Sequence, residues 1–562
     1  MPVDASDTHR PRWRASLVSL LAVLAFVALA LPAVAGAKRN LYVSNYDTDN
    51  VSAFDISATG ALTPVTGSPF ATEGDLGVAA SPDGRHLYVV GSAGVSAFDI
   101  SATGALTPVT GSPFATGGST PQEVSAGPGG TRLYVPNSGS DNVSVLSISA
   151  TGALTPVAGS PFAAGDFPVA AAASPDGKHL YVVGNAGVSA FDISATGALT
   201  PVTGSPFAAG AGPTAVATSP NGEHLYVANY SGSVSVYRIS ASGALSEVTG
   251  SPFATGTGPQ ALTVSPDGKH LYVPNGNSDD ISTYEIASSG ALSEVEGSPF
   301  ATGSDPFGVA ASPDGKHLYV PNYPGNVSAY DVSANGALAP VTGSPFATGG
   351  TGPDLQSVAI TPNQPPVASF TRSPNPADLG TKVRLDASAS TDPDGTVTTY
   401  DWDFGDGTTL PDGGSNPKHT YVRAGTYNAT LTLTDNEGCS TTIVYTGQTT
   451  SCNGSAVAEQ TKTVKVADVT APKTKITKKP KAKVKTKKKK AKVKVSFTSE
   501  KGAKFKCKLD KAKLKPCTSP YKVKAKSKRG NGKKHTISVK ATDDAGNVGK
   551  AATARFKVIR KG

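Results

Sequence analysis

The sequence predicts an all-β protein, a seven-bladed β-propeller followed by two smaller β-sandwiches, and three observations predict it. The stretch Ser-Pro-Asp-Gly-Lys-His-Leu-Tyr-Val at Ser312 to Val320 recurs with small changes. Its Leu-Tyr-Val core begins at Leu41, Leu87, Leu133, Leu180, Leu225, Leu271 and Leu318, a period of 45 to 47 residues. A second marker, Gly-Ser-Pro-Phe, begins at Gly67, Gly111, Gly159, Gly204, Gly250, Gly297 and Gly343. After residue 363 both markers stop, and strands follow that are first rich in Asp, Trp and Phe and then alternate apolar residues with Lys.

Each repeat divides into four strands. In the seventh these are an inner strand at Gly308 to Ala311, the Leu-Tyr-Val strand, Val327 to Tyr330, and Gly336 through Val341. Pro313-Asp314-Gly315 pre-sets φ and then supplies a residue tolerant of positive φ, which makes the first connection a tight hairpin. One small twisted sheet cannot bury both of its faces, and a ring of blades can. The first copy starts at Leu41 without an inner strand, whereas the seventh is followed by a spare one, Gln356 to Thr361. Pairing the two closes the ring and removes the exposed edges of an open array.

At 562 residues the chain calls for several domains. Arg10, Arg12 and Arg14, the apolar run Leu17 to Leu31 and the small residues Ala33, Ala35 and Ala37 read as a secretory signal peptide over 1–37, cleaved after Ala35 or Ala37. The alternative is an uncleaved anchor, for which the run is short; no later segment is apolar enough to span a bilayer. The propeller then occupies 38–363, and two further domains occupy 364–467 and 468–562. The four cysteines fall in two close pairs, Cys439 with Cys452 and Cys507 with Cys517, which in an exported chain read as disulfides closing short loops.

In the second domain, Asp401-Trp402-Asp403-Phe404-Gly405-Asp406-Gly407, His419-Thr420-Tyr421 and Ala424-Gly425-Thr426-Tyr427 resemble the polycystic-kidney-disease (PKD) type of immunoglobulin-like domain. Trp402 and Phe404 share one face of a strand and fill the sandwich core. In the third, Val493, Val495 and Phe497 alternate with Lys492 and Lys494, Phe505, Cys507 and Leu509 with Lys506 and Lys508, and Tyr521 and Val523 with Lys522 and Lys524. Period two with one polar face means a second sandwich. Thr470-Ala471-Pro472 and Ala541 to Asn547 resemble bacterial immunoglobulin-like repeats.

The Tyr-Val-x-Asn copies, as at Tyr42 to Asn45, Tyr134 to Asn137 and Tyr272 to Asn275, resemble the YVTN and lactonase-like propellers, some of which open sugar lactones with basic and acidic residues at one mouth of the channel. Fold alone does not grant that activity. The loops on one rim, between second and third strands and from each outer strand to the next inner one, contain no Lys, Arg or His. Lactone opening wants a base near neutral pH and a cation for the oxyanion, so this rim counts against an enzyme. It does hold Asp47, Asp49, Glu73, Asp75, Glu123, Asp141, Asp166, Asp279, Asp280, Asp305 and Asp354. No cofactor is expected. Calcium is the ion such oxygens would suit, with Asp47 and Asp49 as one candidate pair and Asp392 and Asp394 in the PKD loop as another; turn chemistry is the alternative for both. His86, His179, His224, His270 and His317 occupy equal places on separate blades and read as strand-entry residues.

Charge divides by domain. The propeller has 8 basic and 24 acidic residues (−16), residues 364–467 have 7 and 11 (−4), and residues 468–562 have 33 and 5 (+28). Such a tail favours anionic wall polymer, acidic polysaccharide or extracellular DNA, with Lys506, Lys508, Lys522, Lys524 and Lys526 as the expected contact residues on neighbouring strands of one sheet; a solubilising Lys-rich face, or a semi-disordered linker at Lys478 to Lys490, is the alternative. The resulting expectation is a secreted or cell-surface binding protein whose propeller rim recognises an unknown ligand or protein. An extracellular lactonase-like hydrolase and an envelope scaffold are the alternatives.

Overall fold

The computed structural model describes residues 39–74, 76–350, 358–445 and 450–561. The predicted signal peptide, Asp75, Asp354 and the first two residues of the spare strand lie outside them. The described residues belong to one compact unit.

Among the described residues, seven antiparallel sheets make up the propeller. In the seventh blade Ala310–Ala311, His317–Asn322, Asn326–Val332 and Leu338–Pro340 pair in sequence order. The ring closes as expected. Val358–Ile360 pairs with Leu41–Val43, Thr361 N–H donates to Asn40 O at 3.0 Å, and Asn40 N–H returns a bond to Thr361 Oγ1 at 2.9 Å.

The fourth strand differs from the sequence reading. It is two pieces, Leu338–Pro340 opposite Tyr330–Val332 and Phe346–Ala347 opposite Asn326–Val327. Val341 N–H still donates to Ala329 O at 2.9 Å, and the ladder breaks after it, where Gly343 turns the chain at φ 94°; blades with Glu247 or Glu294 in place of Pro340 break at the same point. The Gly-Ser-Pro-Phe serine repairs the break: the Ala329 N–H left over on the third strand donates to Ser344 Oγ at 2.9 Å. The same bond is made to Ser68, Ser112, Ser160, Ser205, Ser251 and Ser298. The second marker of the repeat is therefore a hydrogen-bond patch in each outer strand.

Neighbouring blades are clasped by the first marker. His317 of the last blade lies under Gly60 of the first, and His86 and His179 lie under Gly152 and Gly243 one blade further on; a Cβ on any of these glycines would strike the imidazole. The tyrosine two residues later reaches the same glycine, with Tyr319 O–H donating to Gly60 O at 3.1 Å and Tyr181 O–H to Gly243 O at 3.2 Å. The leucine, tyrosine and valine of every copy are buried.

The PKD domain packs Thr371–Ser373, Lys382–Asp386 and Lys418–Thr420 against a five-stranded sheet that includes Val397–Asp403, Gly425–Asp435 and Glu459–Ala467. Trp402 and Phe404 lie in its core with Phe370, Tyr421 and Leu431, and Trp402 Nε1–H donates to Gly414 O at 3.0 Å. The C-terminal sandwich pairs Lys475–Lys478, Lys490–Thr498 and Tyr521–Lys526 in one sheet. The other contains Lys483–Thr486, Ala552–Arg560, Lys533–Thr542, Lys504–Leu509 and Lys515–Cys517. Its core is Val493, Val495, Phe497, Cys507, Val539 and Phe556. Both cysteine pairs are bonded, with Cα atoms 5.4 Å apart at Cys439–Cys452 and 5.7 Å at Cys507–Cys517.

Candidate functional site

Two ends of the propeller need to be distinguished. The upper rim carries the hairpins between second and third strands and the loops entering each inner strand; the lower rim carries the Pro-Asp-Gly hairpins. The PKD domain is docked on the lower face. From the hairpin closed by the Cys439–Cys452 disulfide, Tyr445 joins the buried cluster that contains Tyr134 and Ala171 and donates its O–H to Ala126 O at 2.7 Å. Burial, then the Tyr134 and Glu123 neighbours, push its phenol pKa upward, so it remains a donor. Arg39 pairs with Glu437, and Asn363 Nδ2–H donates to Asp435 Oδ2 at 2.9 Å.

The channel offers little room for chemistry. Glu123, expected on the rim, is instead 3% exposed beside an axial cavity of about 30 Å³ lined by Val78, Val124, Leu262, Ala310 and Val358. That volume holds a water or two, whereas small-molecule sites run to roughly 300 Å³ and more. Ala171 N–H donates to Glu123 Oε2 at 3.2 Å, yet burial holds the carboxyl well above the usual range.

The acids of the upper rim are placed by turn geometry. Asp49, Asp141, Asp279 and Asp305 have φ of 47°, 52°, 56° and 48°, a region that Asp and Asn tolerate better than other side chains. Asp141 Oδ1 accepts from Phe167 N–H at 3.0 Å and Asp279 Oδ1 from Asp305 N–H at 2.7 Å, each tying a hairpin to the loop beside it. Asp47 and Asp49 are exposed in and after a single turn, Tyr46–Thr48.

Among these carboxylates sit side chains that sequence reasoning passed over. Tyr46, Phe167, Tyr230 and Tyr323 are 49%, 48%, 48% and 47% exposed, and all four are in upper-rim loops. They are the propeller's exposed large apolar side chains among the described residues. The available signal was the Asn-Tyr pair closing the second strand at Asn45, Asn229 and Asn322.

In the PKD loop, Asp392 Oδ1 accepts from Asp394 N–H at 3.3 Å and Gly395 N–H at 3.1 Å, and Asp394 Oδ2 from Gln364 N–H at 2.9 Å. Asp392 Oδ2 and Asp394 Oδ1 are buried without a donor. Burial first, then the charges of Asp392 and Asp435, push Asp394 up to about 7. Oxygen atoms of this kind suit a hard cation. No three Asp, Glu, His or Cys side chains converge as metal ligands among the described residues, either here or at Asp47 and Asp49.

The C-terminal sandwich presents the densest charge. Lys490, Lys492 and Lys494 stand directly opposite Lys526, Lys524 and Lys522, three cross-strand pairs on the outer face of one sheet, every one exposed. Among the described residues none of the six is ion-paired. Lys506 and Lys508 correct the expectation that they extend this face. Their strand pairs with Lys533–Thr542 in the other sheet, where Lys506 stands opposite Lys540. Alternation shows which side chains point outward; it does not say which of two facing sheets a strand joins.

Residues 72–165, 150–261 and 249–361 match the family described as lactonase, 7-bladed β-propeller, and residues 363–450 match the PKD domain. Over 68 residues, 12% of this chain and 8% of the relative, the sequence is 37% identical to a microbial collagenase of Vibrio alginolyticus. Over 86 residues, 15% of this chain and 9% of the relative, it is 38% identical to the pre-pro-metalloprotease PrtV of Vibrio cholerae. The chain thus spans less than a tenth of the length of the curated relatives it matches. A Bacteroides fragilis structure named as a candidate 6-phosphogluconolactonase aligns at 22% identity and TM-score 0.49, covering 58% of this chain and 99% of that one. The periplasmic gluconolactonase of Pseudomonas aeruginosa aligns at 21% identity and TM-score 0.45, covering 55% and 97%. With the family match running through more than half of its residues, the chain belongs to the lactonase-type seven-bladed β-propeller family and carries a PKD domain and an immunoglobulin-like sandwich behind the propeller.

Proposed function

We propose that this is an extracellular binding protein, in which the C-terminal sandwich holds anionic polymers and the propeller rim is the recognition platform. The observation that carries this reading is the set of three Lys–Lys pairs. Like charges directly opposite across a strand pair destabilise a sheet. A polyanion lying on the face removes that repulsion and releases its own counterions. An extracellular location is supported by the signal-like N-terminus and by two disulfides, which persist in oxidising compartments. No helix among the described residues is long and apolar enough to cross a membrane.

The test is binding to wall polymer, heparin and DNA as salt is raised. With six lysines neutralised, affinity is expected to fall about a thousandfold between roughly 50 and 200 mM salt. Discrimination among the polymers is expected to be weak, because Lys is a point charge without the bidentate geometry of Arg. A chain that binds none of them at the lower salt, or one whose binding ignores salt, overturns the reading.

Family membership favours a second reading, an extracellular lactone hydrolase. The narrow axial cavity and the upper-rim loops without Lys, Arg or His speak against it. The purified protein is expected to hydrolyse gluconolactone-type substrates no faster than buffer. Turnover lost in Glu123→Gln would reverse the ranking of the two readings.

A further inference from the structure

Among the described residues the propeller exposes large apolar side chains on one rim only, and that rim is also the one rich in carboxylates and free of cationic side chains in its loops. The half-exposed rings of Tyr46, Phe167, Tyr230 and Tyr323 share this rim with Asp47, Asp141, Asp279 and Asp305, a combination that suits cations: carboxylates attract them from a distance and aromatic faces hold ammonium groups by cation–π contact. Anionic partners are repelled. The complementary surface is present in the same polypeptide, the flat grid of Lys490, Lys492, Lys494, Lys522, Lys524 and Lys526.

A chain cannot bring its own grid to its own rim. The PKD domain is docked on the lower face, and its strand Gly425–Asp435 has 11 residues, about 36 Å at the usual rise. Asp435 lies at the propeller end, bonded to Asn363, while Gly425 pairs with Val466 at the exit to the C-terminal sandwich. The grid therefore hangs beyond the face opposite the rim.

We propose that the upper rim of one copy binds the lysine sheet of a second copy, giving a head-to-tail contact. The two surfaces differ, so the contact does not close on itself as a twofold dimer would and instead builds rings or open chains of more than two copies. This inference uses the lysine sheet of the proposed function and so rests on that reading. A polyanion on the sheet competes with the rim.

Sedimentation velocity on the full-length protein tests it. At about 50 mM salt the weight-average mass is expected at least to double over a roughly hundredfold concentration range, and to return to that of a monomer at about 500 mM salt or on adding heparin. The exposed-ring variant Tyr46→Ser/Tyr230→Ser/Tyr323→Ser and the grid variant Lys492→Glu/Lys524→Glu are each expected to stay monomeric. Mixed together, they are expected to form a one-to-one dimer and nothing larger, since each keeps the surface the other lacks. Dimer formation in the mixture also shows that both variants are folded. Wild-type protein that stays monomeric at low salt overturns the proposal, as does ring-variant protein that still associates, or a mixture that does not. Monomeric wild type that still binds heparin sinks this inference alone and leaves the proposed function standing.

Discussion

The propeller and the C-terminal sandwich are both built from short antiparallel strands, but they differ in how many faces of each sheet are buried. A blade packs on a neighbour on either side, so alternate residues of the second strand are buried whichever way they point, as in Leu318, Tyr319 and Val320. Charge is then pushed into the loops, and much of it there is turn chemistry, as at Asp141 and Asp279. A sandwich sheet buries one face only. Its other face is free at every second position, and here it carries lysine: Val493 and Val495 are buried while Lys492 and Lys494 are exposed. Acids on the propeller are fixed by how its loops are bent, whereas the sandwich lysines are placed by strand alternation alone, and it is the reading proposed above that gives them a partner.

The largest expected break in this comparison comes from the ring, where every blade needs two neighbours. Residues 38–363 are expected to fold alone, and residues 38–350, which lack Val358–Ile360, are not. Cooperative melting of the shorter chain at the same temperature as the longer one would show that closure contributes nothing.

A smaller effect sharpens the contrast between buried and exposed charge. Glu123 has its pKa raised by burial, so between its ordinary value of 4.5 and its folded value the native state binds more protons than the unfolded state. Stability is fully present below 4.5 and falls as pH rises through that window. Glu123→Gln keeps an acceptor for Ala171 N–H and has nothing to ionise. It is expected to raise the melting temperature at pH 8 by at least about 2 °C and to change little at pH 4. Equal shifts at both pH values would mean that the carboxylate is not the destabilising group.

The smallest effect belongs to the exposed grid. Lys492→Glu turns a repulsive pair with Lys524 into an attractive one, which is expected to stabilise the sandwich by about 0.2–1 kcal/mol while weakening heparin binding roughly tenfold. Stability and affinity moving in the same direction would remove the argument that the lysines are kept for a partner.

Much of the architecture was legible because repetition makes it so. Seven copies of two markers give seven blades, and a missing first strand with a spare last one gives the closure. What stayed hidden depended on contacts between segments far apart in sequence. The two-piece outer strand follows from the glycine turn at Gly343, yet only the bond from Ala329 N–H to Ser344 shows that the break is patched. Glu123 looks like any loop acid until the inner strands are seen to enclose it. Lys506 and Lys490 have the same alternating neighbours, and nothing local assigns one to the sheet of Lys524 and the other away from it. Tyr46, Tyr230 and Tyr323 became notable only when the fold put them on the same rim as Phe167.

The docking of the PKD hairpin also decides how the molecule carries a load. If the sandwich is held on a surface and the propeller rim on a partner, tension enters the ring through Thr361, at the end of the strand that closes it. That strand runs along the direction of pull, so its bonds to Leu41–Val43 are loaded together in shear and do not unzip one at a time. Asn363, held by Ser451, Asn453 and Asp435, passes part of the force into the disulfide-closed hairpin, and Tyr445 delivers it to the third and fourth blades across the ring. The seam where the first and last repeats meet is thus relieved by a second route, and a tether attached at one blade pulls on the ring as a whole.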